Sequence, residues 1–313
     1  MKVLITCPPM LGMLGKFRDA FVELGWEVTA PEVSQIMSER DLIGILPAHD
    51  GWIIGDDPAS RQVLTAASKG RLRAAVKWGV GTDNVDFSAC EELGIRITNT
   101  PNMFGAEVAD IAVGYIVGLA RETFLIDREV RSGLWPKPAG ISLAGKTVGI
   151  VGLGDIGCNV AKRLLAADMR IFGYDPCVDQ DKLPSEVSLK AWHEGKGELD
   201  FLVITCALSN SSFHMVNRDF FRSVKPGIRL INVSRGPVVD EVALVEALDN
   251  AAVHSAALDV FEVEPLPMSS RLRGHTRCIF GSHNASNTAD AVIRTSAETI
   301  QKLEGLLMLK SAS

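Results

Sequence analysis

Three short segments in the second half of the chain carry residue types suited to moving hydrogen on or off an alcohol carbon. They are Asn232-Val233-Ser234-Arg235-Gly236, Leu258-Asp259-Val260-Phe261-Glu262-Val263-Glu264-Pro265 and Gly281-Ser282-His283-Asn284-Ala285-Ser286. Hydride transfer from such a carbon requires a base for the hydroxyl proton and a cation for the polarised oxygen. A carboxylate that orients the base and stabilises its charged form completes the set. Arg235, Glu264 and His283 are of the right types for these three roles. Taken singly each has a plainer reading: a surface arginine beside a helix, a carboxylate before a loop proline, one structural histidine among the 6 in the chain. The chemical reading rests on their joint order.

A hydride also needs a carrier, and the run Lys146-Thr147-Val148-Gly149-Ile150-Val151-Gly152-Leu153-Gly154-Asp155-Ile156-Gly157 provides a place for one. It reads as a strand running directly into G-x-G-x-x-G. Gly152 makes the tight turn, Gly154 lets the backbone approach a pyrophosphate, and Gly157 allows close helix–strand packing. The helix that follows points its first N–H groups, from Asp155 and Ile156 on, at the phosphates. A second strand ends at Asp175, followed by Pro176. Alone, Asp175 reads as a turn residue before proline. With the glycines in place, its carboxylate accepts the ribose hydroxyls of NAD and repels the 2′-phosphate of NADP. The cofactor expected is NAD.

These segments need a scaffold that delivers them to strand ends. A chain of 313 residues has material for about two domains. With 47% hydrophobic and 22% charged residues it is neither a disordered chain nor a coiled coil. A net charge of −6 gives no reason to expect a nucleic-acid partner. No apolar run approaches the ~18 residues that span a bilayer, so no membrane partner is expected. The N-terminal apolar run is too short for a signal peptide. The 6 cysteines lie far apart without metal-type spacing, so no metal is expected and they read as reduced thiols of a cytoplasmic protein.

Short apolar runs alternate with helical patterns throughout. Strands are expected at 3–6, 26–29, 51–54, 74–78 and 95–98, with helices at 16–24 and 38–46. A single long helix is expected from 107 to 131, with an apolar stripe wide enough for a sheet and a partner subunit. A second series follows, with strands at 147–151, 170–174, 201–205, 229–232, 256–258 and 278–280 and a last helix at 290–309. Such alternation predicts an α/β architecture of two doubly wound parallel sheets.

At this point the chain resembles the D-isomer-specific 2-hydroxyacid dehydrogenases, the family that includes D-3-phosphoglycerate dehydrogenase. The resemblance covers nearly the whole chain. It rests on Gly79-Val80-Gly81-Thr82-Asp83-Asn84-Val85-Asp86, the glycine motif, the Ser-Arg-Gly segment, the Asp-Val-Phe-Glu-x-Glu-Pro segment and the late histidine. It implies that Arg235 holds the substrate carbonyl and carboxylate, that His283 is the acid/base and that Glu264 pairs with it and favours the imidazolium. It places Asp259 and His283 by the nicotinamide, Cys206 near the adenosine, and Val233, Ser234 and Arg235 along the cofactor. It implies a flavodoxin-like substrate domain, 1–98 with 287–313, and a Rossmann NAD-binding domain, 99–286. The substrate, a small 2-oxo or 2-hydroxy acid, would lie in the cleft with its carboxylate on backbone N–H groups at Val80 and Gly81. The long helix would build a homodimer.

The chain departs from the family pattern at three places. Ser282 stands where proline is common before the histidine, Asp110 where many relatives have glutamate, and Lys77-Trp78 precedes the substrate loop. Phosphoglycerate dehydrogenases tend to carry a basic residue at the position of Lys77. Lys77 reads either as a point charge for a second anionic group or as a solvated strand end. Trp78 either narrows the site or packs as core. Ending at Ser313, the sequence is expected to lack the appended regulatory domain of some phosphoglycerate dehydrogenases. Three activities compete: a 2-hydroxyacid dehydrogenase, for phosphorylated acids or not; an NAD-sensing scaffold of the corepressor type; and a formate dehydrogenase, disfavoured by Glu264-Pro265 where that enzyme would carry glutamine and proline.

Overall fold

The computed structural model describes residues 1–309. The chain divides into two compact units, one of Met1–Met103 with the residues from Asn287 on, the other Phe104–Ser286. The sequence placed the junction at residue 98. The fifth strand runs on to Asn99, and the junction falls after it, directly before a helix that starts at Gly105.

The first unit holds a five-stranded parallel sheet of β1 (Lys2–Ile5), β2 (Glu27–Thr29), β3 (Gly51–Ile54), β4 (Ala74–Lys77) and β5 (Arg96–Asn99). Their order is β2-β1-β3-β4-β5, the flavodoxin-like winding. Strands such as Gly-Trp-Ile-Ile are apolar without alternation because helices cover both faces. On one face Leu4, Trp52, Ile54 and Ala75 pack against Leu42, Leu46, Val63 and Leu64. The helices there start on serine caps, Ser38 accepting from the Asp41 N–H and Ser60 from the Val63 N–H. The chain's last helix, Ala289–Met308, packs against β3, β4 and β5, with Leu303 and Leu307 filling the space above Gly51.

The second unit holds a seven-stranded parallel sheet of β6 (Thr147–Val151), β7 (Arg170–Tyr174), β8 (Val187–Leu189), β9 (Phe201–Ile204), β10 (Ile228–Asn232), β11 (Val253–Leu258) and β12 (Ile279–Phe280). The order is β12-β11-β10-β9-β6-β7-β8. The winding reverses between β6 and β9, where an open α/β sheet offers a crevice at its carboxyl edge. β8 was not foreseen: three residues with one buried side chain at the sheet edge give little periodic signal.

The single long helix expected at 107–131 is two helices, Gly105–Arg121 and Thr123–Arg131. Glu122 between them is left-handed, φ 55°. The reversal lets the Phe124 ring close over Gly118, where a Cβ would come within 2.7 Å of it. Six positions apart on one continuous helix, these residues would face different ways. Hydrophobic period alone carries no sign of such a break. Among the described residues no helix is long and apolar enough to cross a membrane.

Candidate active site

The glycine motif forms the turn that its spacing requires. Gly152 ends β6 at φ 89°, and a Cβ there would press on the Cys206 backbone at 2.6 Å. A Cβ on Gly157 would overlap the Gly152 carbonyl oxygen, so the helix Asp155–Leu165 can lie this close to β6 only with glycine. Gly154 is different: nothing lies within 4 Å of where its Cβ would be. Bare backbone facing open space at a helix N-terminus suits a pyrophosphate. The Asp155 side chain accepts from Asn159 and crowds Gly105, so what Asp155 and Ile156 offer a phosphate is their backbone.

Asp175 follows β7 and is tied to the same turn. Its Oδ2 accepts the Leu153 N–H at 2.7 Å and its Oδ1 the Cys177 N–H at 2.8 Å. Each carboxylate oxygen keeps a further lone pair for a ribose hydroxyl. Cys206 lies under Gly152, and burial pushes its thiol up to about 11, so it serves as apolar filling. The residues present therefore fit a dinucleotide at the β6–β9 crevice.

His283 and Glu264 meet. The imidazole Nδ1 lies 2.7 Å from Glu264 Oε2, and Glu264 Oε1 accepts the Phe261 N–H at 2.9 Å. A carboxylate can only accept, which places the proton on Nδ1 and makes Nε2 the ring nitrogen that exchanges the proton in the expected chemistry. His283 itself is left-handed, φ 56°. Its N–H is held by the Asp259 carbonyl at 2.7 Å, and the Ala285 N–H by Asp259 Oδ2 at 2.9 Å. The Tyr115 hydroxyl bonds the same carboxylate, and Tyr115 and Asp259 oxygens both lie where a Cβ on Gly281 would sit. Asp259, 3% exposed, thus anchors the turn that aims the histidine. With this anchor the turn is fixed although Ser282 replaces the common proline.

Arg235 comes off the end of β10. Asn232, 1% exposed, braces its turn: Nδ2 donates to the Arg235 carbonyl at 2.9 Å and Oδ1 accepts from the Ser234 N–H and hydroxyl. Val233 and Ser234 are buried, and the Ser234 N–H, hydroxyl and carbonyl are all bonded within the turn, so these two residues shape the floor of the expected cofactor site rather than offer it hydrogen bonds. The Arg235 guanidinium donates to the Ser234 carbonyl and is half-buried. The next residue, Gly236, is pressed so closely on the Phe261–Glu262 peptide that a Cβ would overlap the Phe261 carbonyl group. The arginine turn and the glutamate turn are packed as one piece.

Lys77, Val80 and Gly81 belong to the first unit. Lys77 is 3% exposed, which excludes the solvated strand end, one of the two readings its position left open. Its ammonium sits beneath the following turn, 3.1 Å from Asp56 Oδ1 and 3.1 Å from the Trp78 carbonyl. The charge therefore has a counter-ion within the unit. Trp78 packs as core, 6% exposed, with Nε1 donating to Ser296. Gly79 turns at φ 122°, its N–H bonded to Thr100, and presents Val80, 42% exposed, and Gly81 at the loop tip. Asp110, in the second unit, pairs with Arg163 at 2.8 Å and is exposed.

Sequence reasoning missed Asn232, Tyr115 and the anchoring role of Asp259. Asn232 sat inside a quoted motif, and an asparagine at a strand end before Ser-Arg-Gly is a usable signal for a side chain that braces a turn. Tyr115 falls within the apolar helix expected from 107 to 131, and nothing local marks its hydroxyl partner.

Comparison with known proteins agrees with this geometry. The family described as D-isomer specific 2-hydroxyacid dehydrogenase, NAD binding domain, matches residues 113–285. A hydroxypyruvate reductase of Thermotoga maritima is 33% identical over 275 residues, covering 86% of this chain and 89% of its own. A chloroplastic D-3-phosphoglycerate dehydrogenase of Arabidopsis thaliana is 32% identical over 96% of this chain, which spans about half, 48%, of that protein. Among solved structures, the apo-structure of D-lactate dehydrogenase from Escherichia coli superposes with a TM-score of 0.84 at 27% identity, covering 98% of this chain and 96% of that one.

Proposed function

The chain belongs to the D-isomer-specific 2-hydroxyacid dehydrogenases, and on that premise we propose that it reduces small, unphosphorylated 2-oxo acids such as glyoxylate and hydroxypyruvate. It is an NAD-dependent oxidoreductase acting on the CH–OH group of 2-hydroxy acids. The single observation that carries the choice of substrate is the Lys77–Asp56 pair. A lysine already neutralised inside its unit has little left for a second anionic group.

The bound nicotinamide would supply the hydride, held by the Gly152–Gly157 turn with Asp175 on the ribose. Everything else falls to side chains of the chain. Arg235 binds the substrate carboxylate and carbonyl and stabilises the charge that grows on the carbonyl oxygen. His283 delivers a proton to that oxygen from Nε2, and the Glu264 carboxylate holds the ring by Nδ1 and stabilises the imidazolium. In the oxidative direction the same Nε2 takes the hydroxyl proton. The exposed Val80–Gly81 turn offers backbone N–H groups to the carboxylate.

A panel of glyoxylate, hydroxypyruvate, pyruvate and phosphohydroxypyruvate, followed by loss of NADH absorbance, tests the reading. The unphosphorylated acids are expected to give the higher kcat/KM. Asp56→Asn, by releasing the Lys77 charge, is expected to raise kcat/KM for the phosphorylated acid selectively by about fivefold, the effect of ~1 kcal/mol. Activity confined to the phosphorylated acid would reverse the assignment, and total inactivity would favour the scaffold role.

The protein is further proposed to act as a cytoplasmic homodimer. All 6 cysteines are free, as a reducing compartment keeps them. Ile111, Val117, Phe124, Val130, Leu134 and Trp135 (78% exposed) put large apolar groups on the surface of one stretch of the second unit. Light scattering should give twice the mass of the chain. A monomer at micromolar concentration would rule the dimer out.

A further inference from the structure

The two turns that carry Arg235 and Glu264 are joined by more than packing. Downstream of Arg235 the chain makes a short 3₁₀ turn, Gly236–Val238, and enters the helix Glu241–Asp249. At that helix start Glu241 and Glu262 exchange hydrogen bonds. The Glu241 N–H donates to Glu262 Oε1 at 3.1 Å, and the Glu262 N–H donates to Glu241 Oε1 at 2.7 Å. His214 closes the group, its Nε2 2.9 Å from Glu262 Oε1 and its own N–H bonded to the Pro237 carbonyl at 2.8 Å. His214 is left-handed, φ 48°, and its ring stacks on Phe213. Two residues beyond Glu262, Glu264 holds His283.

We propose that Glu241 and Glu262 are positioning residues, a reciprocal carboxylate clamp that fixes the Arg235 turn against the Glu264–His283 pair. Several features distinguish this from a chance contact between surface acids. Both carboxylates are spent on backbone N–H groups of the opposite segment, which fixes chain against chain rather than side chain against side chain. The joined segments are the ones that Gly236 already brings into van der Waals contact. The Glu241 carboxyl is pushed up chiefly by its burial, and further by Glu262 and Glu264, while the bond from the Glu262 N–H works the other way. The consequence of the clamp is geometric: the cation that holds substrate and the carboxylate that holds the proton carrier move as one body.

The inference rests on the proposed reductase reading, so its test uses the full-length protein with glyoxylate and NADH. Glu241→Ala removes the acceptor for the Glu262 N–H, whereas Glu241→Gln keeps an oxygen in its place. E241A is expected to lower kcat about tenfold and raise KM for glyoxylate, with NADH affinity unchanged, and E241Q to restore most of both. Arg218→Ala, which removes the ion pair made to Glu246 of the same helix from the neighbouring helix Arg218–Ser223, serves as the control for plain loss of stability and should leave both constants alone. The His283 ring N–H resonance gives a readout independent of turnover: it should move in E241A and return in E241Q. If E241A does not fold, Glu262→Ala and Glu262→Gln repeat the comparison from the other arm. A folded E241A with wild-type kcat, KM and resonance overturns the clamp, as does an E241Q no better than E241A. A wild type inactive on every 2-oxo acid overturns the reductase reading instead, and the resonance then still decides the clamp.

Discussion

Replacing His283 by alanine is expected to cut turnover of glyoxylate with NADH by about 10²–10⁴, the range for loss of a general acid–base. The fold around the site should survive the change. The 281–285 turn is held by Asp259, whose carbonyl accepts the His283 N–H and whose carboxylate accepts the Ala285 N–H, and neither bond involves the imidazole. NADH binding, read by fluorescence, should therefore persist while the chemical step fails. The mutation also leaves the Glu264 carboxylate beside the site without its partner, although its other oxygen keeps the Phe261 N–H. Turnover equal to wild type would move proton transfer to another group and remove the main support for the assigned chemistry.

Gly236→Ala should have the second largest effect, and it touches no reactant. The added methyl overlaps the Phe261 carbonyl group, which is backbone and cannot swing aside like a flexible side chain. Either the Arg235 turn or the Phe261–Glu264 turn must move by an ångström or so. Overpacking of this kind costs about 1–3 kcal/mol of stability. Misplacing an aligned catalytic group by ~1 Å costs about 10²-fold in rate. Both losses are expected together, read by thermal denaturation and by kcat/KM. A variant that is less stable yet fully active would show that the register between the two turns does not govern the reaction.

These expectations show where the sequence could be read and where it could not. The strand-to-helix turn at Gly152, Gly154 and Gly157 was legible because each glycine answers a separate local demand, and two of the three would clash with backbone if replaced. The meeting of His283 with Glu264 was legible only through their company, since 19 positions of chain separate them and nothing local points one at the other. The break at Glu122 was invisible, because the hydrophobic period continues through a residue that the backbone turns on. Of the two readings left open for Lys77, the solvated strand end fails, because a charge at a strand end usually seeks water whereas here Asp56 meets it below the surface. The Glu241–Glu262 exchange was also hidden: reciprocal bonds between distant backbones leave no periodic trace, only two acids that look like ordinary surface residues.

The central claim is that the chain moves a hydride between nicotinamide and C2 of a 2-oxo acid, with the proton passing through His283. It is tested most directly by supplying NADH dideuterated at C4 together with pyruvate and examining the product by mass and chirality. The account predicts one deuterium at C2 and the D-configured 2-hydroxy acid. NADH oxidation with no deuterium in the product, or deuterium in the L-configured acid, would contradict it.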